Sequence, residues 1–351
     1  MNELATLLGP TVARLFTDLV TKELIESAEK GAWPDTLWAA LEEGGLTLPL
    51  VPEARGGAGG TWSDAHVVVR AAGKHNAPVP LAETIVGGWL LAQTGLDVPL
   101  GALTLAPVRE GERLTLARAG GGWRLSGTVS GVPWGGAAGH VVVVADDEGA
   151  PMVALVRQGA GRVTADRNLA REPRDTLAFE GAPVVAAAPA GPAAADGVLV
   201  HGAMIRAAQM AGALESLLEQ SVRYATERRQ FGRPIGNFQA IQHNLAIVAG
   251  HVAAAGIAAE NAFRAADRGH PAFEAAVAKV RAGEAAGVSA GLAHQAHGAI
   301  GFTYEHSLHF STRRLWSWRA EFGSESRWAI RLGREVATHG AERLWADLTA
   351  R

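Results

Sequence analysis

The helical pattern in the second half of this chain is interrupted at Arg228-Arg229-Gln230-Phe231-Gly232, which continues through Pro234-Ile235-Gly236 to Phe238-Gln239. Glycine and proline disfavour helix interiors, so this stretch predicts a short break between two long helices. Its first residue carries a permanently charged guanidinium, whose planar fork of donors matches two phosphate oxygens. Taken alone, Arg228 is predicted to be an ordinary arginine on a helix surface, although its chemistry would suit phosphate.

Three zones with different hydrophobic patterns surround this stretch. Residues 1–103 carry apolar residues at helical spacing, residues 104–190 carry short strand-forming runs, and residues 191–351 return to helical spacing. We therefore expect an α+β protein with an N-terminal helical domain, a small middle β-sandwich or barrel, and a C-terminal four-helix bundle. The bundle helices are expected at 196–228, 238–268 and 271–297, with a last pair near 305–349.

The middle zone contains strand-like runs at 113–117, 122–126, 140–145 and 151–156, separated by Gly, Asp and Pro. The tract 186–195, which is rich in Ala, Pro and Gly, predicts a linker into the bundle.

Composition excludes several classes of protein. The chain has 351 residues, of which 48% are hydrophobic and 19% charged, so it is predicted to be globular. A net charge of −3 gives no reason to expect nucleic acid as a partner, and the absence of cysteine excludes disulfides and thiolate catalysis. We see no signal peptide and no run of about 18 apolar residues, and therefore expect a cytoplasmic protein without a membrane span.

Several motifs resemble those of acyl-CoA dehydrogenases. They are the Arg-x-x-Phe-Gly…Gln pattern beginning at Arg228, the segment Ala77-Pro78-Val79-Pro80-Leu81-Ala82-Glu83-Thr84, and the run Gln295-Ala296-His297-Gly298-Ala299-Ile300-Gly301-Phe302. They follow the order and spacing of the family, and the resemblance covers nearly the whole chain. It implies FAD as cofactor, an acyl-CoA substrate, a dimer or tetramer, and an acceptor such as an electron-transfer flavoprotein. It points to the branch that pairs a flavin-binding subunit with a degenerate one.

In this family the flavin lies between two subunits, and the neighbour supplies the half of the site that holds the diphosphate, here called the trans half. The matching positions in this chain are Arg228, Gln230, Phe231, Gln239 and Gln295. The resemblance also assigns Gly298 and Ser324 to cofactor binding. Gln230 replaces a common threonine, and Ala299 replaces the second glycine of its run. For Gln295, a polar position within the bundle is the alternative.

The ring-side half of the flavin site, here called the cis half, lacks the residues of the family. A loop of Thr-Glu-Pro-x-Ala-Gly-Ser-Asp type corresponds to residues 103–107, where Leu105 and Ala106 offer no side-chain donor or acceptor. The Trp-Ile-Thr/Ser element that packs on the flavin corresponds to Gly131-Val132-Pro133. Trp134 is a candidate substitute for that ring in a different register.

The position of the catalytic base is also altered. Desaturation of an acyl thioester needs a carboxylate that removes the Cα proton while the flavin takes a hydride. The usual glutamate corresponds to Phe322, ahead of Gly323 and Ser324, and the minority position corresponds to Gly202 beside His201. Glu321 is the candidate for an adapted base, although one residue along a helix turns a side chain by about 100°.

Three functions follow from this resemblance. The chain is an FAD-dependent acyl-CoA dehydrogenase with Glu321 as its base, or a non-catalytic subunit that lends the trans half to a different chain, or an acyl-CoA binding module without redox chemistry. Retention of the trans half beside loss of the cis half is what the second function predicts.

Two other groups of side chains have structural explanations. The pairs His294/His297 and His306/His309 have i, i+3 spacing, but no third ligand accompanies them, so no metal site is expected. The aromatic residues of the C-terminal region are expected in the core or an interface, with a roof over a polycyclic substrate as the alternative: Trp316, Trp318, Phe322 and Trp328.

Overall fold

The computed structural model describes residues 3–191, 194 and 196–349, and within them it contains eleven α-helices and ten strands. The helices are α1 Glu3–Leu19, α2 Lys22–Glu29, α3 Asp35–Glu43, α4 Trp62–Lys74, α5 Leu81–Gln93, α6 Gly197–Glu227, α7 Gln239–Asp267, α8 Ala272–His297, α9 Leu308–Ala320, α10 Glu325–His339 and α11 Leu344–Thr349. The strands are β1 Leu103–Leu105, β2 Leu114–Ala119, β3 Gly122–Pro133, β4 His140–Asp147, β5 Ala150–Arg157, β6 Arg162–Thr164, β7 Arg174–Pro183, β8 Ala186–Pro189, β9 Arg229–Gln230 and β10 Arg233–Pro234. The predicted fold class is confirmed.

The N-terminal helices pack directly on the bundle through two glycines. Gly73 of α4 faces the backbone of Gln209 in α6, and Gly212 of α6 faces the backbone of Arg70 in α4. A Cβ at either glycine would overlap the opposite helix, so glycine is what permits this close crossing. Helix α5 is buried from Leu81 to Leu91 and lies between the sheet and α6.

The middle domain is one mixed sheet in which β1 to β8 are joined by hydrogen bonds in the order β6-β7-β3-β2-β4-β5-β8, with β1 parallel to β4. Alternate residues of β4 enter two different cores. Val141 and Val143 pack in a core made by the strands themselves, whereas Val142 joins the core shared with the helices. This period of two is the strand signature in the sequence, and it fixes the sheet against α5.

Helices α6, α7 and α8 form the centre of the bundle, and α9 and α10 pack against α8. The segments expected at 196–228, 238–268 and 271–297 correspond to α6, α7 and α8. The turn between α9 and α10, residues 321–324, lies beside the N-terminal end of α6 and lines the same cleft. Two distant parts of the sequence therefore meet at one site.

One expectation about a chain segment is wrong. The tract 186–195 is not wholly a linker, because its first four residues form β8 and pair with β5; residues 192, 193 and 195 lie outside the described residues. Within the described chain, α7 is long and apolar enough to cross a membrane by length and composition, because an 18-residue window of this helix has a mean hydropathy of 1.4. One such helix is weak evidence for a span, and α7 packs against α6 and α8.

Candidate flavin site and its altered catalytic position

A two-residue hairpin turn forms the break between α6 and α7. Strands β9 and β10 pair antiparallel, and the turn between them consists of Phe231 at φ 52° and Gly232 at φ 79°. Two positive φ angles are typical of tight hairpin turns, but the first is uncommon for a bulky residue. The Phe231 ring is 92% exposed. A strained backbone that presents an apolar ring to solvent points to a surface used for binding.

Arg228 combines a fixed backbone with a free side chain. Its N–H donates to Tyr224 O at 2.8 Å, and its carbonyl accepts from Ile235 N at 2.8 Å. Its guanidinium is exposed and makes no hydrogen bond or ion pair within the described part of the chain. The structure therefore places a positive fork at the end of α6 without an internal partner for it.

The other trans-half residues are also exposed. Gln230 lies on the hairpin, and Gln239 is the first residue of α7. Gln295 lies in the last turn of α8, and Gly298 is the residue after this helix, with φ 64°. The ends of α6 and α8 are neighbours, because the rings of Tyr224 and His297 stack with their centroids 4.5 Å apart. No hydrogen bond to another described residue engages the guanidinium of Arg228 or the amide side chains of Gln230, Gln239 and Gln295. Together they form a donor set at one end of the bundle that suits a diphosphate.

The first half of α7 continues this exposed surface. Between Gln239 and Gly250 only Val248 is buried, although the segment includes Ile241, Leu245 and Ile247. Ile241, Leu245 and Ile247 are half-buried, and incompletely buried apolar side chains beside a polar site are typical of a contact between subunits. The trans half therefore lies on a surface that a second chain could cover.

The cis half does not fit a flavin ring. Leu105 and Ala106 are buried, and the Ala106 N–H is already used in a bond to Val142 O at 3.1 Å. The Thr104 hydroxyl donates to Pro133 O. The polar groups of residues 104–106 that could have met the edge of a flavin are thus engaged inside the β domain.

Gly131, the counterpart of the ring-packing tryptophan, lies against Arg109. A Cβ at Gly131 would overlap the Arg109 guanidinium. Trp134 does not replace the missing ring, because it is buried with φ 48° and lies beneath the guanidinium of Arg174, 5.1 Å from Cζ to the ring centroid. The cleft next to this surface has a volume of about 530 Å³ and is bounded by the β1–β2 loop, β3, the start of α6 and the α9–α10 turn.

The two positions at which the family carries a catalytic glutamate are in direct contact. A Cβ added at Gly202 would overlap the ring of Phe322. Phe322 has φ 52°, and its carbonyl accepts a hydrogen bond of 2.9 Å from Trp328 Nε1. A benzyl ring packed on a glycine thus fills the place of both carboxylates.

Glu321 points away from this contact into a buried ion-pair network. Its Oε1 accepts from Arg174 Nε at 2.7 Å and from Asn168 Nδ2 at 3.2 Å, and its Oε2 accepts from Arg206 Nε at 2.7 Å. Burial raises the pKa of Glu321, but the charges of Arg174 and Arg206 outweigh it and lower the pKa from 4.5 to about 2. A carboxylate held in this way is a weak proton acceptor.

The network extends through all three domains. Arg206 also pairs with Glu83 of α5, and Arg174 NH2 donates to Glu172 Oε2 at 2.9 Å. Glu172 lies 3.1 Å from Arg314 Nε and accepts from Trp318 Nε1 at 2.9 Å. The charges of three carboxylates therefore balance those of three guanidiniums, and all six side chains are almost fully buried: Glu83, Glu172, Glu321, Arg174, Arg206 and Arg314. The arrangement ties α5, α6, α9 and β7 together behind Phe322.

Sequence reasoning missed this network. Arg206 interrupts an apolar run in α6, and a charged residue at such a position needs a buried partner. That signal was available, but it does not identify the partner.

Lys279 holds the altered turn from the side of α8. Its Nζ donates to Arg319 O at 2.6 Å and to Gly323 O at 2.7 Å. Burial lowers the pKa of Lys279 to about 7, against the attraction of Glu321 and Glu325. The Nζ donors of Lys279 thus link α8 to the end of α9 and to the Phe322 turn.

We expect Lys279→Met to remove a pH-dependent part of the stability. The folded-state pKa of Lys279 lies below the unfolded value of 10.5, so its protonation opposes folding and the protein gains stability as pH rises from about 7 towards 10. The gain is at most about 1.4 kcal/mol per pH unit. Urea unfolding at pH 7, 8 and 9 should show this rise in the wild type and a flatter profile in the variant. If the unfolding free energies of the wild type and the variant rose equally with pH, this prediction would be wrong.

Ser324 and the aromatic residues have clear positions. Ser324 lines the cleft and caps α10, its Oγ accepting from Arg327 N at 3.4 Å; its cofactor role remains a prediction. Trp318, Phe322 and Trp328 are core residues, whereas Trp316 is exposed.

The histidines pair with different partners. His294 Nε2 lies 3.0 Å from Thr312 Oγ1 and His297 Nδ1 lies 2.8 Å from Ala293 O. Among the described residues no group of three His, Cys, Asp or Glu could hold a metal ion.

Comparison with known proteins agrees with this fold. The chain matches the N-terminal domain of acyl-CoA dehydrogenases over residues 3–97 and their C-terminal domain over residues 190–328. The acyl-CoA dehydrogenase IpdE2 of Mycolicibacterium smegmatis is 28% identical over 319 residues, which are 90% of this chain and 93% of IpdE2.

Two solved structures are similar along nearly the whole chain. One is a Tcur3481-Tcur3483 steroid ACAD variant, with a TM-score of 0.88, 29% identity, and 97% of this chain and 99% of that chain covered. The other is the ChsE4-ChsE5 complex from Mycobacterium tuberculosis, with a TM-score of 0.88, 28% identity, and 96% and 98% covered. The two matched domains define a class of FAD-dependent oxidoreductases. The chain belongs to the acyl-CoA dehydrogenase family, and its similarity to the two-component structures supports the heteromeric branch.

Proposed function

We propose that the chain is a subunit of an FAD-dependent acyl-CoA dehydrogenase and lends the trans half of the flavin site to a different chain. That chain carries the glutamate and the ring side, and the oligomer desaturates an acyl-CoA thioester between Cα and Cβ. The main support for this proposal is the packing of Phe322 on Gly202, because these are the two positions at which members of the family have the catalytic glutamate.

The residues of this chain then hold and orient the cofactor rather than move a proton. Arg228 neutralises the diphosphate, and Gln230, Gln239 and Gln295 donate or accept around it. The bound flavin supplies the hydride acceptor for the reaction. Proton removal falls to the other chain.

The alternative, in which Glu321 is the base of this chain, meets two obstacles. A carboxylate with a pKa of about 2 has little affinity for a Cα proton. Freeing it would also leave Arg174 and Arg206 without their shared partner in the interior. An acyl-CoA binding module without redox chemistry would not need the free trans half.

The relatives suggest the wider setting. ChsE4-ChsE5 is a two-component complex and Tcur3481-Tcur3483 is a steroid ACAD, so we propose a ring-bearing, steroid-type acyl-CoA as substrate and an electron-transfer flavoprotein as acceptor. The first half of α7, whose apolar side chains beside the trans residues are mostly half-buried, is where we place the second subunit. We place the complex in the cytoplasm.

Co-expression tests the proposal. Purified alone, the chain should contain little flavin, because its own cis half offers no partners to the ring. Co-expressed with a homologue that has an intact Glu-Gly-Thr segment, it should yield a yellow complex that reduces its flavin when acyl-CoA is added. The flavin-to-protein ratio is measured from absorbance after gel filtration.

A bright yellow homo-oligomer with dehydrogenase turnover would contradict the proposal and favour Glu321 as an adapted base. A complex that forms with the homologue but never reduces its flavin would instead favour the binding-module function. Phe322→Glu in the chain alone is a further test. We expect no dehydrogenase activity from this variant, because the cis half of the flavin site is still missing.

A further inference from the structure

A second cavity lies on the other side of the N-terminal end of α6. It has a volume of about 710 Å³, within the range of small-molecule sites, and is bounded by α4, α5, α6, α10 and the turn between α7 and α8. Of its described lining residues, it shares only Asp196 with the flavin-side cleft. It is therefore a separate site.

Three nearly buried rings form one wall of this cavity. Trp62, Trp89 and His201 are 5%, 8% and 4% exposed. His201 stacks on Trp62 with ring centroids 4.9 Å apart and lies 4.2 Å from Trp89. Rigid aromatic walls of this kind favour flat, ring-bearing ligands over flexible chains.

His201 offers the cavity one unused polar atom. Its Nδ1 lies 3.0 Å from Gly197 O, and a carbonyl can only accept, so Nδ1 carries the proton. Nε2 is then a lone-pair acceptor, and it makes no hydrogen bond with any described residue. Burial lowers the pKa of His201 to about 4, so the ring is neutral at pH 7. A ligand satisfies this atom only with an O–H or N–H donor.

The charged residues around the cavity disfavour an anion. Asp267 faces it while accepting from Trp62 N at 2.6 Å, and Glu335 lies at the rim. Arg331 is 3.5 Å from Asp196 and is thereby partly neutralised. The acidic side chains outnumber the basic ones, which argues against phosphate or carboxylate groups.

We propose that this cavity binds a neutral, ring-bearing alcohol or phenol, stacked against the Trp62–Trp89 wall, whose hydroxyl donates to His201 Nε2. Nothing in the proposed flavin chemistry requires this site, so the two proposals stand or fall separately.

A matched pair of probes tests it by calorimetry on the full chain. 2-Naphthol carries the donor, and 2-methoxynaphthalene has the same rings and oxygen without the O–H. We expect the naphthol to bind about five- to tenfold more tightly, the value of one hydrogen bond to an otherwise unpaired acceptor. 2-Naphthoate, an anion, should bind more weakly than either.

His201→Phe keeps the ring stack but removes the lone pair. It should reduce the preference for naphthol over its ether to about one, whereas Trp89→Leu should weaken both probes alike. The proposal is overturned if the wild type binds neither probe, binds both equally, or keeps its preference in His201→Phe. If His201→Phe fails to fold, the affinities of the wild type for 2-naphthol and 2-methoxynaphthalene still test the proposal.

Discussion

Replacing Arg228 by alanine should strip FAD from the two-chain complex while leaving the complex assembled. The guanidinium is exposed, its backbone is fixed by bonds to Tyr224 and Ile235, and its donors are free within the described chain. The charge-assisted contact of the guanidinium with a diphosphate would be lost, at about 1.5–3 kcal/mol in total. FAD should therefore bind roughly 10- to 100-fold more weakly, measured by titrating flavin fluorescence into the apo-complex.

The adjacent residue supplies a matched control. Arg229 is also exposed and carries the same charge, but it lies outside the positions of the family. Arg229→Ala should keep FAD affinity within about twofold, and Arg228→Lys should fall between the two because lysine keeps the charge but loses the planar fork. Equal losses in the two alanine variants would show a diffuse positive field instead of a specific contact. No loss in either would remove Arg228 from the site.

The fold was predictable because the apolar residues of each domain recur in the sequence with the period of that domain's own helices or strands. The apolar repeat of α6 spans nearly the whole helix, and the alternation in β4 separates two cores as strands require. The hairpin break between α6 and α7 follows from its glycine and proline. The sequence pattern did not predict β8. Its Ala and Pro residues have little preference for strands, and the strand forms because it pairs with β5.

The site was predictable in part. Phe322 and Gly202 were each identified as positions without a base, but their mutual contact depends on how the α9–α10 turn lies on α6. The partners of Glu321 could not be inferred, since Arg206 and Arg174 are separated from it by 115 and 147 residues. No local pattern encodes such pairs. The trans half, in contrast, lies mostly in one short stretch, so its positions can be named from the sequence, and their cofactor role stays a prediction.

Glu321→Gln should destabilise the protein strongly, and this separates a structural carboxylate from a catalytic one. Glu321 is 13% exposed in its side chain and is shared by Arg174 and Arg206. Removing one partner of a buried ion pair costs about 3–5 kcal/mol. For a chain of this size that corresponds to a fall in Tm of roughly 5 °C, measured by calorimetry.

Glu325→Gln is the control of identical chemistry. Glu325 pairs with Arg319, but both side chains are partly exposed, so the change should cost no more than about 1 kcal/mol. If Glu321 were instead the base, Glu321→Gln would abolish turnover with Tm almost unchanged. That outcome would overturn the role proposed for this subunit.

The pH dependence gives a second, independent readout of the same ion pairs. The folded pKa of Glu321, about 2, lies below its ordinary value of 4.5, so the stabilisation is complete above about pH 4.5 and is lost as pH falls towards 2. The difference in unfolding free energy between wild type and Glu321→Gln should therefore be constant from pH 5 to 8 and shrink below pH 4. A catalytic carboxylate poised to accept a proton would instead titrate near neutral pH, and the difference would already change between pH 5 and 8.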